Sequence, residues 1–308
     1  MLKQGTVVTI CLLLVLALGA QPLEAQEENW AVVRAKTEAQ LRQVVSGVRG
    51  AMGLTVVDLT SGQRFDINEN FVFPQGSAIK IAILMEVYKQ AAEGRFQLAD
   101  RLPVRAESQV GGSGLLKELG DGTSQLSIRD LAVLMILVSD NTATNMLIDL
   151  VGMERINQTL ASLGLSQTKV QRRMMDTAAR SRGDENLSTP AEAARIMEIL
   201  YRGEFLDPTA SDDMLAILKK PKPGGINAGL PADVPVAFKA GSIPGVSTEW
   251  TIVYLRGRPY VVVVMENYEL EDEATAAMKE ISRTLYDYFW RLARASRYGT
   301  YVEPALLK

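Results

Sequence analysis

Residues 73–94, FPQGSAIKIAILMEVYKQAAEG, constrain the fold more than any other stretch. Between Ala78 and Met85 only Lys80 interrupts an apolar run, so the predicted helix is hydrophobic nearly all round and belongs inside a core. Pro74 and Gly76 stop any earlier helix, and Gly94 suits the position just past the last turn. A lysine in such a helix is costly unless it is paired or deprotonated. Ser77, three residues earlier, shares its face. Burial and the positive end of the helix dipole both lower the proton affinity of Lys80, so the pair reads as a general base beside a hydroxyl nucleophile. Spacing alone says little: Ser-x-x-Lys arises about once by chance in a chain of this length. It recurs at Ser166–Lys169, where no helix follows.

Composition then removes most other chemistry. The 308 residues include no histidine and a single cysteine, Cys11. Ser-His-Asp triads, Cys-His pairs and histidine metal sites are therefore excluded. Acid–base work falls to Lys, Asp, Glu, Tyr or a serine relay, and no cofactor or metal is expected. A net charge of −3 argues against nucleic acid as a partner. Residues 1–25 read as a secretory signal peptide, with Lys3, an apolar stretch from Val7 to Leu18, and a small residue at Ala25 or Ala20 for cleavage. An uncleaved anchor is the alternative, although the apolar stretch is short for a membrane span. The expected product is exported, periplasmic or extracellular, free of the membrane after cleavage, without disulfides, and monomeric. About 280 residues suit one catalytic domain, expected over 27–304.

The order of elements points to an α+β fold. Residues 29–48 have amphipathic helical spacing, MGLTVVDLT and QRFDIN flank a Ser61-Gly62 turn as a hairpin, and the buried helix follows. Further helices are expected at 127–138, 143–151, 153–162, 189–202 and 208–219, the first capped by Ser127. After a Pro/Gly-rich stretch come VAFKAG, EWTIVYLRG and RPYVVVVMEN, read as a strand meander, and a closing helix over roughly 272–296. The simplest assembly is an antiparallel sheet flanked by helices and built from both chain ends, about 27–72 and 222–304. A helical subdomain, about 73–221, is inserted between them. Ser77 starts that insert, where subdomains meet and sites form.

Two more stretches carry candidate chemistry. In VSDNTATN, Ser139, Asp140 and Asn141 lie between two helices. Capping alone would account for Asp and Asn there. In VAFKAGSIPG, Lys239 is expected at a strand end before Gly241, where its ammonium and nearby backbone N–H groups could bind an anion. The plain alternative is a solvated edge-strand lysine.

Ser-x-x-Lys, Ser-Asp-Asn and Lys-x-Gly in this order resemble the signature of class A β-lactamases and penicillin-binding proteins. FPQGSAIK and LVSDNTATNMLIDLVG resemble the class A contexts, and the likeness runs from about Ala51 to Phe289. It implies that Ser77 attacks a lactam or D-alanyl carbonyl, Lys80 takes its proton, and Ser139 passes a proton to the leaving nitrogen. Asn141 would bind the substrate amide, Lys239 its carboxylate, and the N–H groups of Ser77 and Ser242, beside Gly241, the oxyanion. The expected substrate is a small molecule: a β-lactam, or a D-alanyl peptide or peptidoglycan fragment. β-Lactam hydrolysis is the leading expectation. The alternatives are a D-alanyl-D-alanine peptidase or amide/ester hydrolase, or a slowly deacylating sensor. Two departures stand out. Ala240 lacks the usual hydroxyl, and TKVQRRMMDTAARSRGDENLSTP places Met174 near where a deacylating Glu belongs. Asp176 and Glu185 are candidate substitutes, with an ion pair to Arg172, Arg173 or Arg180 as the alternative for Asp176.

Overall fold

The computed structural model describes residues 21–119, 121–269, 273–296 and 298–306. Most of the expected signal peptide, residues 1–20, lies outside them. Helix α1 (Gln21–Gly47) leads into the hairpin β1 (Ala51–Asp58) and β2 (Arg64–Ile67), then the short β3 (Phe73–Pro74). A 3₁₀ turn over Gly76–Ile79 opens α2 (Lys80–Ala92). Next come the hairpin of β4 (Arg101–Arg105) and β5 (Asp121–Ser127), then α3 (Ile128–Leu137), α4 (Asn141–Val151) and α5 (Met153–Ser162). A long connection holding only α6 (Thr177–Ser181) and β6 (Leu187–Ser188) precedes α7 (Pro190–Tyr201) and α8 (Pro208–Leu218). Strands β7 (Val236–Ile243), β8 (Val246–Val253) and β9 (Tyr260–Asn267) and helix α9 (Glu273–Arg294) complete the chain.

The main sheet has the order β2-β1-β9-β8-β7, antiparallel throughout, so strands from the two chain ends join at the β1–β9 pair. Both faces are covered, which explains why β9 reads VVVV rather than alternating. Val261, Val263 and Met265 face the core shared with the inserted helices, while Tyr260, Val262 and Val264 face the core shared with α1 and α9. Helix α2 is buried almost all round, as its composition requires.

Three details differ from the sequence reading. Ser77 sits on the 3₁₀ turn rather than in the α-helix proper. Lys239 is inside β7, which runs on through Gly241 to Ile243. Helix α1 starts at Gln21, within the segment read as leader. The β4–β5 hairpin was not anticipated, because RLPVR carries a proline and DGTSQLS little apolar alternation.

Candidate active site

The turn that carries Ser77 is locked by its neighbours. Gln75, fully buried, accepts from Trp250 Nε1 at 3.0 Å through Oε1 and donates from Nε2 to Phe73 O at 2.7 Å. Its carbonyl accepts from Thr248 Oγ1 at 2.9 Å and its N–H donates to Asn186 O at 2.8 Å. Strand β7 presses on the same turn. A Cβ on Gly241 would stand 2.2 Å from Gln75 O and 2.7 Å from Ser77 N, so only glycine fits. One on Gly76 would stand 3.0 Å from Ser242 N, so the turn carrying Ser77 lies directly against the Gly241–Ser242 backbone.

Lys80 is 0 % exposed, and its Nζ donates to three neutral oxygens: Ser139 O at 2.7 Å, Ser139 Oγ at 3.0 Å and Asn141 Oδ1 at 3.0 Å. Burial first, then the charge of Lys239, holds its pKa well below the usual lysine value, and Asp140 opposes. Ser139 reaches it by adopting φ +54, a conformation rare outside glycine and found where structure over-determines it. The Ser-Asp-Asn stretch both caps and binds. Asp140 Oδ1 caps α4 at Ala143 N (2.8 Å), and its Oδ2 accepts from Leu115 N and Leu116 N. Ser139 and Asn141, on either side, are left for Lys80. The capping alternative and the functional reading thus apply to different residues of one motif.

Ser77, Ser139, Lys239, Ala240, Gly241 and Ser242 line one cleft of ≈ 1120 Å³, with Lys80 and Asn141 behind its wall. Lys239 is no solvated edge residue. It is 4 % exposed, donates to Ala240 O at 2.6 Å, and burial and the nearby Lys222 bring its pKa down to about 7.

The two candidate deacylation bases lie elsewhere. Asp176 is exposed and caps α6 through Ala179 N at 2.8 Å. Arg173 pairs with Asp149, and Arg172 and Arg180 pair with Glu185 at 2.8 and 3.4 Å. Glu185 is therefore a strut of the 166–188 segment, and neither carboxylate lines the cleft. Asn186 completes that strut, accepting from Gln171 N and Arg172 N and donating to Arg172 O. Met174 is buried with the helical core and, like the two carboxylates, does not line the cleft. Asn145 clamps its backbone by Met174 N→Oδ1 at 2.8 Å and Nδ2→Met174 O at 3.1 Å, from one turn beyond Asn141 on α4. Sequence reasoning missed Asn145 and Gln75. The i+4 spacing from Asn141 was a signal for the first. Nothing local marked the second.

This fold, with its cleft between sheet and helical insert, is the β-lactamase/transpeptidase type. A family model described as a β-lactamase enzyme family matches residues 36–289, and the chain belongs to that family. It is similar to β-lactamase AST-1 of Nocardia asteroides, 32 % identical over 268 residues and 80 % of each chain. It is also similar to the imipenem-hydrolyzing β-lactamase of Enterobacter cloacae, 25 % identical over 250 residues, 79 % of this chain and 85 % of that one. Among solved structures it resembles PBP-A, with TM-score 0.76 and 30 % identity over 83 % of this chain and 96 % of that one. A point mutant of PBP-A was solved as an acyl-enzyme complex with penicillin G.

Proposed function

We propose that the protein is an exported serine hydrolase of the class A-like, penicillin-binding type, acylated at Ser77 by β-lactams and D-alanyl peptides and slow to release a lactam. The observation that carries this reading is Lys80, buried and bonded to Ser139 in the wall of the cleft that Ser77 lines. Ser77 Oγ attacks the carbonyl carbon while Lys80 takes its proton. The oxyanion is met by the Ser77 and Ser242 N–H groups, as the contact of the turn with β7 allows. The C–N bond breaks, and the proton returns to the nitrogen through Ser139. Asn141 and Lys239 hold the substrate amide and carboxylate. Release needs an activated water, and neither Asp176 nor Glu185 lines the cleft to activate one.

Efficient lactam turnover is the second reading, favoured by the β-lactamases among the relatives. Intact-mass spectrometry with penicillin G, followed alongside absorbance of a chromogenic cephalosporin, separates the two. A persistent adduct, absent from Ser77→Ala, is expected. Rapid turnover without an adduct would establish the second reading, and neither signal would remove lactams from the substrates. Amino-terminal sequencing of the product recovered from the cell envelope or medium tests export.

A further inference from the structure

The oxidisable sulfur of this chain is almost all methionine. Its single cysteine, Cys11, lies in the segment read as a leader. Among the described residues, the methionines other than Met153 and Met175 are buried. Met153 is half-buried, and Met175 is 48 % exposed. An oxidant in water therefore meets the Met175 thioether before the others.

Met175 also sits where a change at sulfur is felt. It follows Met174, whose N–H and carbonyl are both held by Asn145, and it takes φ +64, which an L side chain rarely adopts. Its sulfur reaches the loop between β4 and β5. A Cβ on Gly112, itself at φ +80, would stand 3.1 Å from Met175 Sδ and 2.6 Å from Asn141 Nδ2, so thioether and amide close on the same glycine. That loop is tied to α4: Gly111 O accepts from Asn141 Nδ2 at 3.1 Å, and Ser113 O accepts from Asn141 N at 3.0 Å. Gly112 O accepts from Lys117 Nζ at 2.9 Å. Asn141 Oδ1 in turn accepts from Lys80 Nζ. The exposed sulfur and the buried amine are thus joined through the loop and one side chain, Asn141.

We propose that Met175 is an oxidation site through which hydrogen peroxide slows acylation. Peroxide gives one oxygen atom to Sδ: the thioether loses two electrons, the O–O bond breaks, and water leaves. The sulfoxide is polar and chiral where the thioether was apolar. It no longer packs on Gly112, the loop loosens against Asn141, and Asn141 holds the Lys80 amine less firmly. The change in rate rests on Ser77 being the acylated nucleophile; the place of oxidation does not. Sulfoxide reductases reverse the step, so the effect is a reversible setting of the rate.

The test treats the protein with dilute hydrogen peroxide, maps the added oxygen by peptide mass spectrometry, and times formation of the penicillin G adduct before and after. Met175 is expected to gain its oxygen ahead of the other methionines from Met52 onward. Acylation is expected to slow about fivefold, the usual effect of weakening one hydrogen bond, and methionine sulfoxide reductase to restore it. Met175→Leu, with its melting temperature checked, keeps an apolar side chain without sulfur and holds its own rate within about twofold through the same treatment. Oxidation elsewhere first, a Met175 sulfoxide acylated at the untreated rate, or an equal loss in Met175→Leu would overturn the proposal and leave the nucleophile in place. An untreated wild type that forms no adduct would overturn the Ser77 reading and the rate effect with it.

Discussion

Lys80 shows how a single residue can conflict with its surroundings and be kept there. It opens a helix whose next five residues are apolar, and its amine is satisfied by Ser139 and Asn141 rather than by a carboxylate. A buried ion pair would instead restore its ordinary basicity. Lys80→Met fills the same slot without an amine and leaves Asn141 Oδ1 and Ser139 O without that donor, a loss of about 1–3 kcal/mol partly offset by removing a buried amine. The chain is expected to fold, and Ser77 acylation to fall by about 10²–10⁴. Adduct formation measured by mass, with melting temperature as control, checks this. A variant acylated as fast as the wild type would place the base elsewhere. The pair Ser77 and Lys80 was legible in the sequence because burial could be read from composition. That Lys222 lines the cleft was not legible, because it sits in a proline-rich loop whose path depends on Glu249, 27 residues further along the chain.

At the scale of elements, the segment from Ser166 to Ser188 is the one least explained by local sequence. It has little regular structure and is held by one backbone bridge, Lys169–Leu187, and by side chains: Asn186 on the Gln171–Arg172 backbone, the Arg172–Glu185 pair and the Asn145 clamp. Asn186 also passes the restraint on, since its carbonyl accepts from Gln75 N in the turn that carries Ser77. Helices and the strand meander could be read from periodicity and caps, since each signal is local. This segment could not, because its shape comes from partners on α4 and on its own far end. The sequence therefore offered Asp176 and Glu185 as bases, and the structure gives them a cap and a strut. Because the backbone of Met174 is fixed by Asn145, a carboxylate introduced there has a defined position. Met174→Glu is expected to shorten the lifetime of the penicillin adduct by about 10²-fold or more, the usual scale for a placed general base, with little change in acylation. The decay of the adduct mass with time reads this directly. An adduct that persists unchanged would mean that residue 174 does not face the acyl carbonyl.

At the scale of the whole molecule, a buried carboxyl group without a partner among the described residues lies outside the lining of the cleft. Glu266 is on β9, facing the α1/α9 side of the sheet, 0 % exposed, with no hydrogen-bond partner for either carboxylate oxygen among the described residues. It packs against Gly50 at the start of β1, close to where the two chain ends pair. Burial, reinforced by Glu269 and Glu273, raises its pKa to about 7, against 4.5 for the ordinary side chain. A carboxyl group whose proton is held more tightly in the folded state stabilises the fold fully below the unfolded value. That contribution falls as pH rises from about 4.5 to 7, and above 7 an unpaired carboxylate is buried at full cost. Other groups titrate as well, so the informative quantity is the difference between the wild type and Glu266→Gln, which keeps the shape and removes the charge. The variant is expected to melt about 5 °C above the wild type at pH 8 and close to it at pH 4.5. Melting curves across that range would show the gap opening between those values. A gap independent of pH would mean that glutamine acts through packing, and that Glu266 is not the group that couples protonation to the join between the two chain ends.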